Sequence, residues 1–156
     1  MMAKQSDATL STTVLKDRIV KILSESSRSL SIAVTIPQYK LIADIAAAQE
    51  VFAARQRIGD DVIGYAHALK VEALAGLGEL LKKQPKAKGS RGRGPGRGKG
   101  GAVVEPPFNE PPTLAEMGID KKTSSLAQRL ASLSDAERNA IALRDKTLAD
   151  VTRPAR

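Results

Sequence analysis

Apolar residues recur at helical spacing in two neighbouring stretches near the middle of the chain. Between residues 38 and 57 they are separated by four, three and four positions, which is typical of the seam of a packed helix. Gly59 ends this stretch, and Asp60 or Asp61 can cap a second helix. Because so short a connection folds two long helices back on each other, the pattern predicts an antiparallel helical hairpin over residues 37–83.

The apolar seam of this hairpin is a candidate surface for self-association. A two-helix hairpin rarely buries enough apolar area to be stable alone, so we expect it to recruit the N-terminal helix or to pair with a second copy. The chain is therefore expected to be a homo-oligomer. The candidate oligomer-interface residues are Leu41, Ile45, Phe52, Val62, Leu69 and Leu77.

The N-terminal segment, residues 1–36, combines a helical pattern with an alternating one. Its first part is polar and predicts a frayed start, and residues 13–24 carry their apolar positions on one helical face. The serine-rich stretch Ser24–Ser29 is expected to break that helix. Alternation then runs over Leu30–Ile36 and predicts a short strand closed by Pro37. A single strand needs a partner strand, which a second copy of the chain could supply.

Helix-capping signals recur near the C-terminus. Thr113–Glu116 and Ser134–Glu137 each place Ser or Thr three residues before Glu, which is the pattern of a capping box. Gly118 fits the end of a first short helix, and Asp120 can cap a second helix whose leucines share a face. The second capping box opens a third helix, expected over about 135–150. The first two helices have the outline of a helix-turn-helix.

The stretch between the hairpin and the C-terminal helices differs from both in composition. Residues 84–112 are dominated by Gly and Pro, so they are expected to form a disordered linker. The sequence thus predicts a mainly α protein: a long antiparallel helical hairpin with a possible short N-terminal strand, joined by the linker to a small three-helix unit over residues 113–152. Whether the two folded parts touch stays open.

Positive charge is concentrated at this linker. The chain has 25 Lys and Arg against 17 Asp and Glu, and eight of the basic residues lie between Lys82 and Gly100 with no acid among them. The segment RGRGPGRGKG is similar to arginine-glycine segments that follow nucleic-acid backbones, and it has no aromatic residue for base stacking. It predicts sequence-independent contact with a polyanion, most simply DNA, although a solubilising spacer would have a similar composition.

Two groups of residues are candidates for nucleic-acid binding. The basic residues in and beside the linker can neutralise phosphates: Lys82, Lys83, Lys86, Lys88, Arg91, Arg93, Arg97 and Lys99. The second C-terminal helix adds side chains suited to phosphates and base edges: Lys121, Lys122, Ser124, Ser125, Gln128 and Arg129. Ser124 stands where helix-turn-helix units usually bury an aliphatic side chain, so a plain helical interaction module is the alternative interpretation.

The sequence gives little evidence for disulfides, metal binding, nucleotide binding or catalysis. The chain has no cysteine, which excludes disulfides and thiolate metal sites, and no ligand spacing suggests another metal or a cofactor. His67 has no nucleophile motif beside it, and the G-x-G-x-x-G match at Gly96–Gly101 lacks the flanking strand and helix of a nucleotide site. An enzyme is therefore not expected. No apolar run is long enough to span a membrane, so a cytoplasmic protein without a membrane partner is expected.

Several segments together resemble a group of phage, prophage and plasmid proteins. Gly78–Leu81 matches the GELL-like end of their helical region, a polar spacer follows, and Thr113–Ile119 and Lys122–Leu130 match their TLAELGI-type turn and K-x-S-S-x-x-Q-x-L helix. The likeness covers about residues 38–133, and its second half is also similar to the helix-turn-helix of partition-type DNA-binding proteins. The resemblance implies a mobile element and DNA as the context, and it carries over no catalytic residues.

Two functions remain open on the sequence alone. The first is a non-enzymatic DNA-binding accessory protein of a phage or mobile element, which acts in the bacterial cytoplasm and holds DNA through the linker and the C-terminal helices. The second is a protein-interaction adaptor or inhibitor whose helices dock on a phage or host protein. Recovery of one stoichiometric protein after nuclease treatment would favour the second function.

Overall fold

The described part of the chain is mostly helical. The computed structural model describes residues 3–86 and 111–152, and within them there are six helices and no strand. The prediction of a mainly α protein is therefore confirmed. The helices are α1 (Ala3–Ser31), α2 (Ile36–Arg55), α3 (Asp60–Lys83), α4 (Lys121–Leu130), α5 (Asp135–Ala142) and α6 (Leu148–Thr152).

The first helix, α1, is longer than the sequence predicted. It begins at Ala3, inside the stretch expected to fray, and it continues to Ser31 through the serines expected to break it. These serines do not interrupt the helix because their hydroxyls donate to carbonyls about one turn earlier, as from Ser29 to Glu25 at 3.0 Å. The predicted break was wrong because serine can satisfy its hydroxyl within a helix.

The predicted strand over Leu30–Ile36 is also wrong. These residues form the end of α1, a short connection and the first residue of α2. Gln38 fixes the connection, because its side-chain oxygen accepts from the backbone nitrogens of Val34 at 2.9 Å and Thr35 at 3.1 Å. Pro37 then occupies the first turn of α2, where its missing N–H removes no helical hydrogen bond. The short alternation of apolar and polar side chains therefore lies where one helix ends and the next begins, and not in a strand.

Small side chains let α2 and α3 approach closely. The buried face of α2 is formed by Ile42 and three alanines, and α3 buries a run of alanines and leucines. At Gly76 of α3, an added Cβ would overlap the ring of Tyr39 of α2, so glycine leaves the space that the ring occupies. Further along, Glu50 of α2 contacts His67 and Lys70 of α3. The two helices therefore pack together along their length.

The seam that the spacing predicted on α2 faces away from this contact. Leu41 is 61% exposed and Phe52 is 40% exposed, and Ile45 is half-buried. By contrast, the α3 residues predicted for the same oligomer interface are buried in the core: Val62, Leu69 and Leu77. The prediction was wrong for these three, because α1, α2, α4 and α5 all pack on α3 within one chain and cover its apolar positions.

The C-terminal helices pack directly on α3, so the two folded parts of the chain touch. Ile119, Ala127, Leu130 and Ile141 belong to the same apolar core as the buried residues of the first three helices. At Gly78 of α3, an added Cβ would overlap the carbonyl group of Ala127 in α4. The helices therefore meet backbone against backbone at this point, where glycine is required.

The predicted capping boxes are present in the C-terminal segment. In the first, the backbone nitrogen of Thr113 donates to the Glu116 carboxylate at 2.6 Å, and the backbone nitrogen of Glu116 donates to the Thr113 hydroxyl at 3.3 Å. Ser134 and Glu137 make the same pair of bonds at 2.9 and 3.3 Å. Asp120 caps α4 as predicted, because its carboxylate accepts from two backbone nitrogens at 3.2 and 3.3 Å.

Two of the predicted C-terminal helices differ from the prediction, one because it is a turn and the other because it is shorter. Leu114–Met117 forms a single turn, which Gly118 closes with a φ of 67°, a conformation that favours glycine. The helix predicted over 135–150 ends at Ala142, because Arg144 adopts a φ of 65° and leaves the helical path. The short helix α6 follows after this turn.

Candidate nucleic-acid interface

The end of α3 and the outer face of α4 form one shallow groove, here called the basic groove. Lys82, in the last turn of α3, reaches towards α4 and donates through Nζ to Ser132 Oγ at 2.5 Å. This contact brings a lysine from the edge of the linker to the helix that carries the other candidate residues. The groove has a volume of about 430 Å³ and is lined by Lys82, Leu114, Lys121, Ser124, Ser125, Gln128, Arg129 and Ser132.

The periodicity of α4 explains which of its side chains line the basic groove. Ala127 and Leu130 are buried on one face of the helix, so residues on the opposite face stay exposed. Lys121, Ser125 and Arg129 are four residues apart and all exposed. The lining residues supply two ammonium groups, a guanidinium, hydroxyls and a carboxamide, and none of them is an acid. These donors match the oxygens of phosphate groups.

The first turn of α4 holds charges of both signs. Hydrogen bonds from the side chain and backbone of Thr123, and from the backbone of Lys122, outweigh burial and lower the pKa of Asp120 below its ordinary value of 3.8. Asp120 is therefore ionised at neutral pH. Its negative charge stands directly before Lys121 and Lys122, both of which are exposed.

Two residues of the basic groove are held by further hydrogen bonds. The guanidinium of Arg129 donates to Thr152 Oγ1 of α6 at 3.0 Å, and the amide of Gln128 donates to Ser124 Oγ at 3.0 Å. A guanidinium has five N–H donors, so the bond to Thr152 leaves others to bind a phosphate. Because these side chains are already ordered, they lose less conformational entropy when a ligand binds.

Ser124 is not placed for the direct nucleic-acid contact that its sequence position predicted. It is only 4% exposed, and its hydroxyl accepts from Gln128. The prediction was wrong because this position of α4 faces inward with Ala127, as it does in helix-turn-helix units that bury an aliphatic residue there. Ser124 instead orients the Gln128 side chain, which lies at the surface of the groove.

The remaining predicted contacts fall into two sets. Lys83, Lys86 and Lys122 are exposed, so their ammonium groups are accessible to a ligand. Five others lie outside the described residues: Lys88, Arg91, Arg93, Arg97 and Lys99.

Ser132 also lines the basic groove but was not predicted, although helical spacing could have found it. It lies four residues after Gln128, to whose carbonyl its hydroxyl donates at 2.8 Å.

The single histidine bridges two helices. Nδ1 of His67 lies 2.9 Å from Glu50 Oε1 in α2, and Nε2 lies 3.2 Å from the carbonyl oxygen of Ile141 in α5. Lys70 forms an ion pair with the same carboxylate. Burial acts to raise the pKa of Glu50, but the hydrogen bonds and charges of Lys70 and His67 outweigh burial and leave that pKa below its ordinary value of 4.5. This network ties α2, α3 and α5 together.

Replacing Glu50 with glutamine should reduce the loss of stability in acid. Because the folded-state pKa of Glu50 is lowered, its carboxylate stabilises the fold above about pH 4.5, and this contribution is lost as the pH falls through the folded-state pKa. Glutamine does not titrate, so the free energy of unfolding of the variant should fall less steeply between neutral pH and about pH 3. Urea denaturation at a series of pH values, followed by circular dichroism, measures this slope.

The wild-type chain is the matched control for this pH series. Other carboxylates with lowered pKa values, such as Asp61 and Asp150, are the same in both proteins, so their contributions cancel in the comparison. Parallel stability curves for wild type and Glu50→Gln would show that the ionisation of Glu50 gives the fold no net stability.

Comparisons with known proteins do not indicate which ligand this surface binds. No protein-family model matches the chain, and no curated protein or solved structure is significantly similar to it. In the two described ranges, no group of three or more His, Asp or Glu side chains is placed to hold a metal ion. No helix in those ranges is long and apolar enough to cross a bilayer. The interpretation of the basic groove therefore depends on its own residues.

Proposed function

We propose that the protein is a non-enzymatic DNA-binding protein that holds the phosphate backbone in the basic groove. The observation that supports this proposal most directly is the convergence of Lys82, Lys121 and Arg129 on one exposed surface whose lining residues include no acid. Lysine and arginine neutralise phosphates and release condensed counterions, and this release supplies most of the affinity of non-specific binding.

In this proposal α4 is the helix that enters the major groove of a duplex. The single turn at Leu114–Gly118 takes the place of the first helix of a helix-turn-helix. In α4, Ser125 and Gln128 contact base edges, and Lys121 and Lys122 contact phosphates. A helix-turn-helix sets the N-terminal residues of its second helix against the bases, and several residues in the first turns of α4 are exposed. The antiparallel hairpin of α2 and α3 is then the support on which α4 is mounted.

The linker extends the same contact in this proposal. Its basic residues between positions 88 and 99 follow Lys82, Lys83 and Lys86 in the chain, so they are tethered close to any DNA that the basic groove holds. No aromatic residue lies among them, so they bind phosphates irrespective of base sequence. The resemblance to phage and plasmid proteins supports a role on a mobile element, in the cytoplasm of a bacterial host.

Neutralising the basic groove should weaken DNA binding. In the full chain, Lys121→Gln combined with Arg129→Gln removes two phosphate contacts. We expect a loss of affinity on the order of tenfold for a random-sequence duplex, and a salt slope shallower by about 2, because each phosphate contact contributes about 0.9. Fluorescence anisotropy with a labelled duplex, repeated at several salt concentrations, measures both quantities.

The matched control removes the same amount of charge from another surface. Arg18→Gln combined with Lys21→Gln changes two exposed residues of α1, a helix that contributes no residue to the basic groove. This control should keep nearly all of the wild-type affinity. Equal losses in the two double variants would mean that binding depends on net charge alone, and the basic groove would then not be the site.

A further inference from the structure

One cavity of the molecule is apolar and lies on a different face of α4 from the basic groove. Residues of α3 to α6 surround this space of about 400 Å³, here called the apolar cavity. Its volume is within the range of roughly 300–1,000 Å³ that small-molecule sites occupy. Its walls favour a ligand with an apolar body, because they are six aliphatic side chains: Val71, Leu74, Leu126, Leu130, Ile141 and Leu148.

The apolar cavity also has basic residues, and no described residue that lines it is an acid. The basic residues are His67, Lys70, Arg144 and Lys146. His67 and Lys70 are already occupied, because both contact the carboxylate of Glu50. Arg144 and Lys146 are exposed, and in the described ranges neither side chain forms a hydrogen bond or an ion pair. Two cations without a protein partner therefore stand where the cavity opens to solvent.

Acidic groups near the opening distinguish these two cations. Hydrogen bonds at the N-terminal caps of α5 and α6 lower the pKa values of Glu137 and Asp150, and the positive charge of Lys146 adds to both shifts. Both carboxylates are therefore ionised at neutral pH and lie near Lys146. Because Lys146 is partly neutralised within the chain, Arg144 is the cation better placed to bind a ligand.

We infer that the apolar cavity binds a small aliphatic carboxylate, with the alkyl chain between the aliphatic walls and the carboxylate on Arg144. An ionised carboxylate matches the planar fork of N–H donors on a guanidinium. The lining residues include no aromatic ring, so they offer contact with an alkyl chain and no stacking for a planar ligand. A DNA phosphate would pair with the cations but leave the apolar walls uncovered, so nucleic acid is the poorer fit.

The small size of such a ligand sets the expected affinity. A medium-chain fatty acid such as decanoate has about twelve non-hydrogen atoms, so it makes few contacts. Its carboxylate would also stay partly hydrated, because Arg144 is exposed. We expect a dissociation constant on the order of 100 µM for decanoate.

This inference does not depend on the proposed DNA binding. The residues that line the apolar cavity and those that line the basic groove are different sets, although α4 contributes to both. Carboxylate binding can therefore be tested without nucleic acid, and its failure would leave the DNA-binding proposal unchanged.

Titration of the full chain with decanoate, followed by two-dimensional amide NMR spectra, tests the inference. The expected result is a set of saturable shifts of the backbone amide signals at the buried walls: Val71, Leu74, Leu130 and Ile141. Decylammonium is the matched control ligand, because it has the same alkyl chain and the opposite charge. It should bind at least about tenfold more weakly, since its head group would face cations.

A charge variant tests the role assigned to Arg144. Arg144→Gln should raise the dissociation constant of decanoate about three- to fivefold, which is the contribution of an exposed ion pair. Arg57→Gln is the matched control, because Arg57 is also exposed and has a similar positive φ, 52° against 65°, but does not line the apolar cavity. The control should bind decanoate as the wild type does. Equal weakening in both variants would mean that binding follows net charge alone, and it would overturn the assignment.

A wall variant tests the apolar part of the site. Leu126→Ala removes part of one wall and should weaken decanoate binding several-fold. Leu126 is 37% exposed, so the change should leave the fold intact. Leu143→Ala should leave the affinity unchanged, because Leu143 is 71% exposed and does not line the cavity.

Other outcomes of the titration overturn the proposal outright. Decanoate that causes no saturable shift at millimolar concentration does not bind, and equal affinity for decylammonium means that the cations take no part. Shifts confined to the exposed apolar residues of α1 and α2 mean adsorption elsewhere on the surface. Collapse of the amide spectrum means that decanoate acts as a detergent.

Discussion

Replacing Gly78 with alanine should force α4 away from α3 and destabilise the fold strongly. An added Cβ at this position would overlap the carbonyl carbon and oxygen of Ala127 and lie 2.8 Å from the backbone nitrogen of Gln128. Because these atoms belong to the α4 backbone, no side-chain rotation relieves the overlap. Overpacking an ordinary core costs about 1–3 kcal/mol, and we expect Gly78→Ala to reach or exceed the upper end of that range.

A second glycine of the same helix provides the matched control for this substitution. A Cβ at Gly64 would meet no atom within 4 Å. Gly64→Ala should therefore be neutral or gain up to about 1 kcal/mol from helix propensity. Urea denaturation of the two variants beside the wild type measures the difference. Equal stability of Gly78→Ala and Gly64→Ala would show that α3 and α4 do not meet backbone against backbone.

Truncating Leu77 to alanine should lower the free energy of unfolding by about 2–5 kcal/mol. Leu77 has no exposed surface and belongs to the core that joins α3 to the other helices. Removing its side chain leaves a cavity that the surrounding helices only partly fill. Because the loss occurs within one chain, its size should not depend on protein concentration.

Leu143→Ala is the control for the Leu77 experiment. Leu143 is 71% exposed, so its truncation should change stability by no more than about 0.5 kcal/mol. Thermal melts at several protein concentrations separate a core residue from an interface residue. If the loss of stability caused by Leu77→Ala disappeared at high protein concentration, Leu77 would lie between copies of the chain, as its sequence pattern predicted.

Features that depend on neighbouring residues could be predicted from the sequence. The capping boxes at Thr113 and Ser134 and the cap at Asp120 each use a side chain and a backbone group three or fewer residues apart, so the sequence displays both partners. The predicted boundaries of α2 and α3 agree closely with the observed ones for a related reason. Pro37 and Gly59 favour helix boundaries through their own backbone preferences.

Features that depend on distant segments could not be predicted. Helix α2 is apolar on most of its turns, so spacing alone did not show which face packs inside the chain. Nothing near Lys82 in the sequence shows that it reaches Ser132, fifty residues later. The basic residues of the site could be named from the sequence, but their assembly into one groove and the burial of Ser124 are consequences of tertiary packing.

The most direct test of DNA binding is fluorescence anisotropy of the full chain with a random-sequence duplex across a salt series. A variant with Arg91, Arg93, Arg97 and Lys99 changed to serine is measured beside the wild type. The proposal predicts tight binding at low salt, a steep salt slope, and a slope shallower by about 3 to 4 in the variant, at about 0.9 per lost phosphate contact. No binding by the wild type even at low salt would contradict the proposal and favour an adaptor that docks on a phage or host protein.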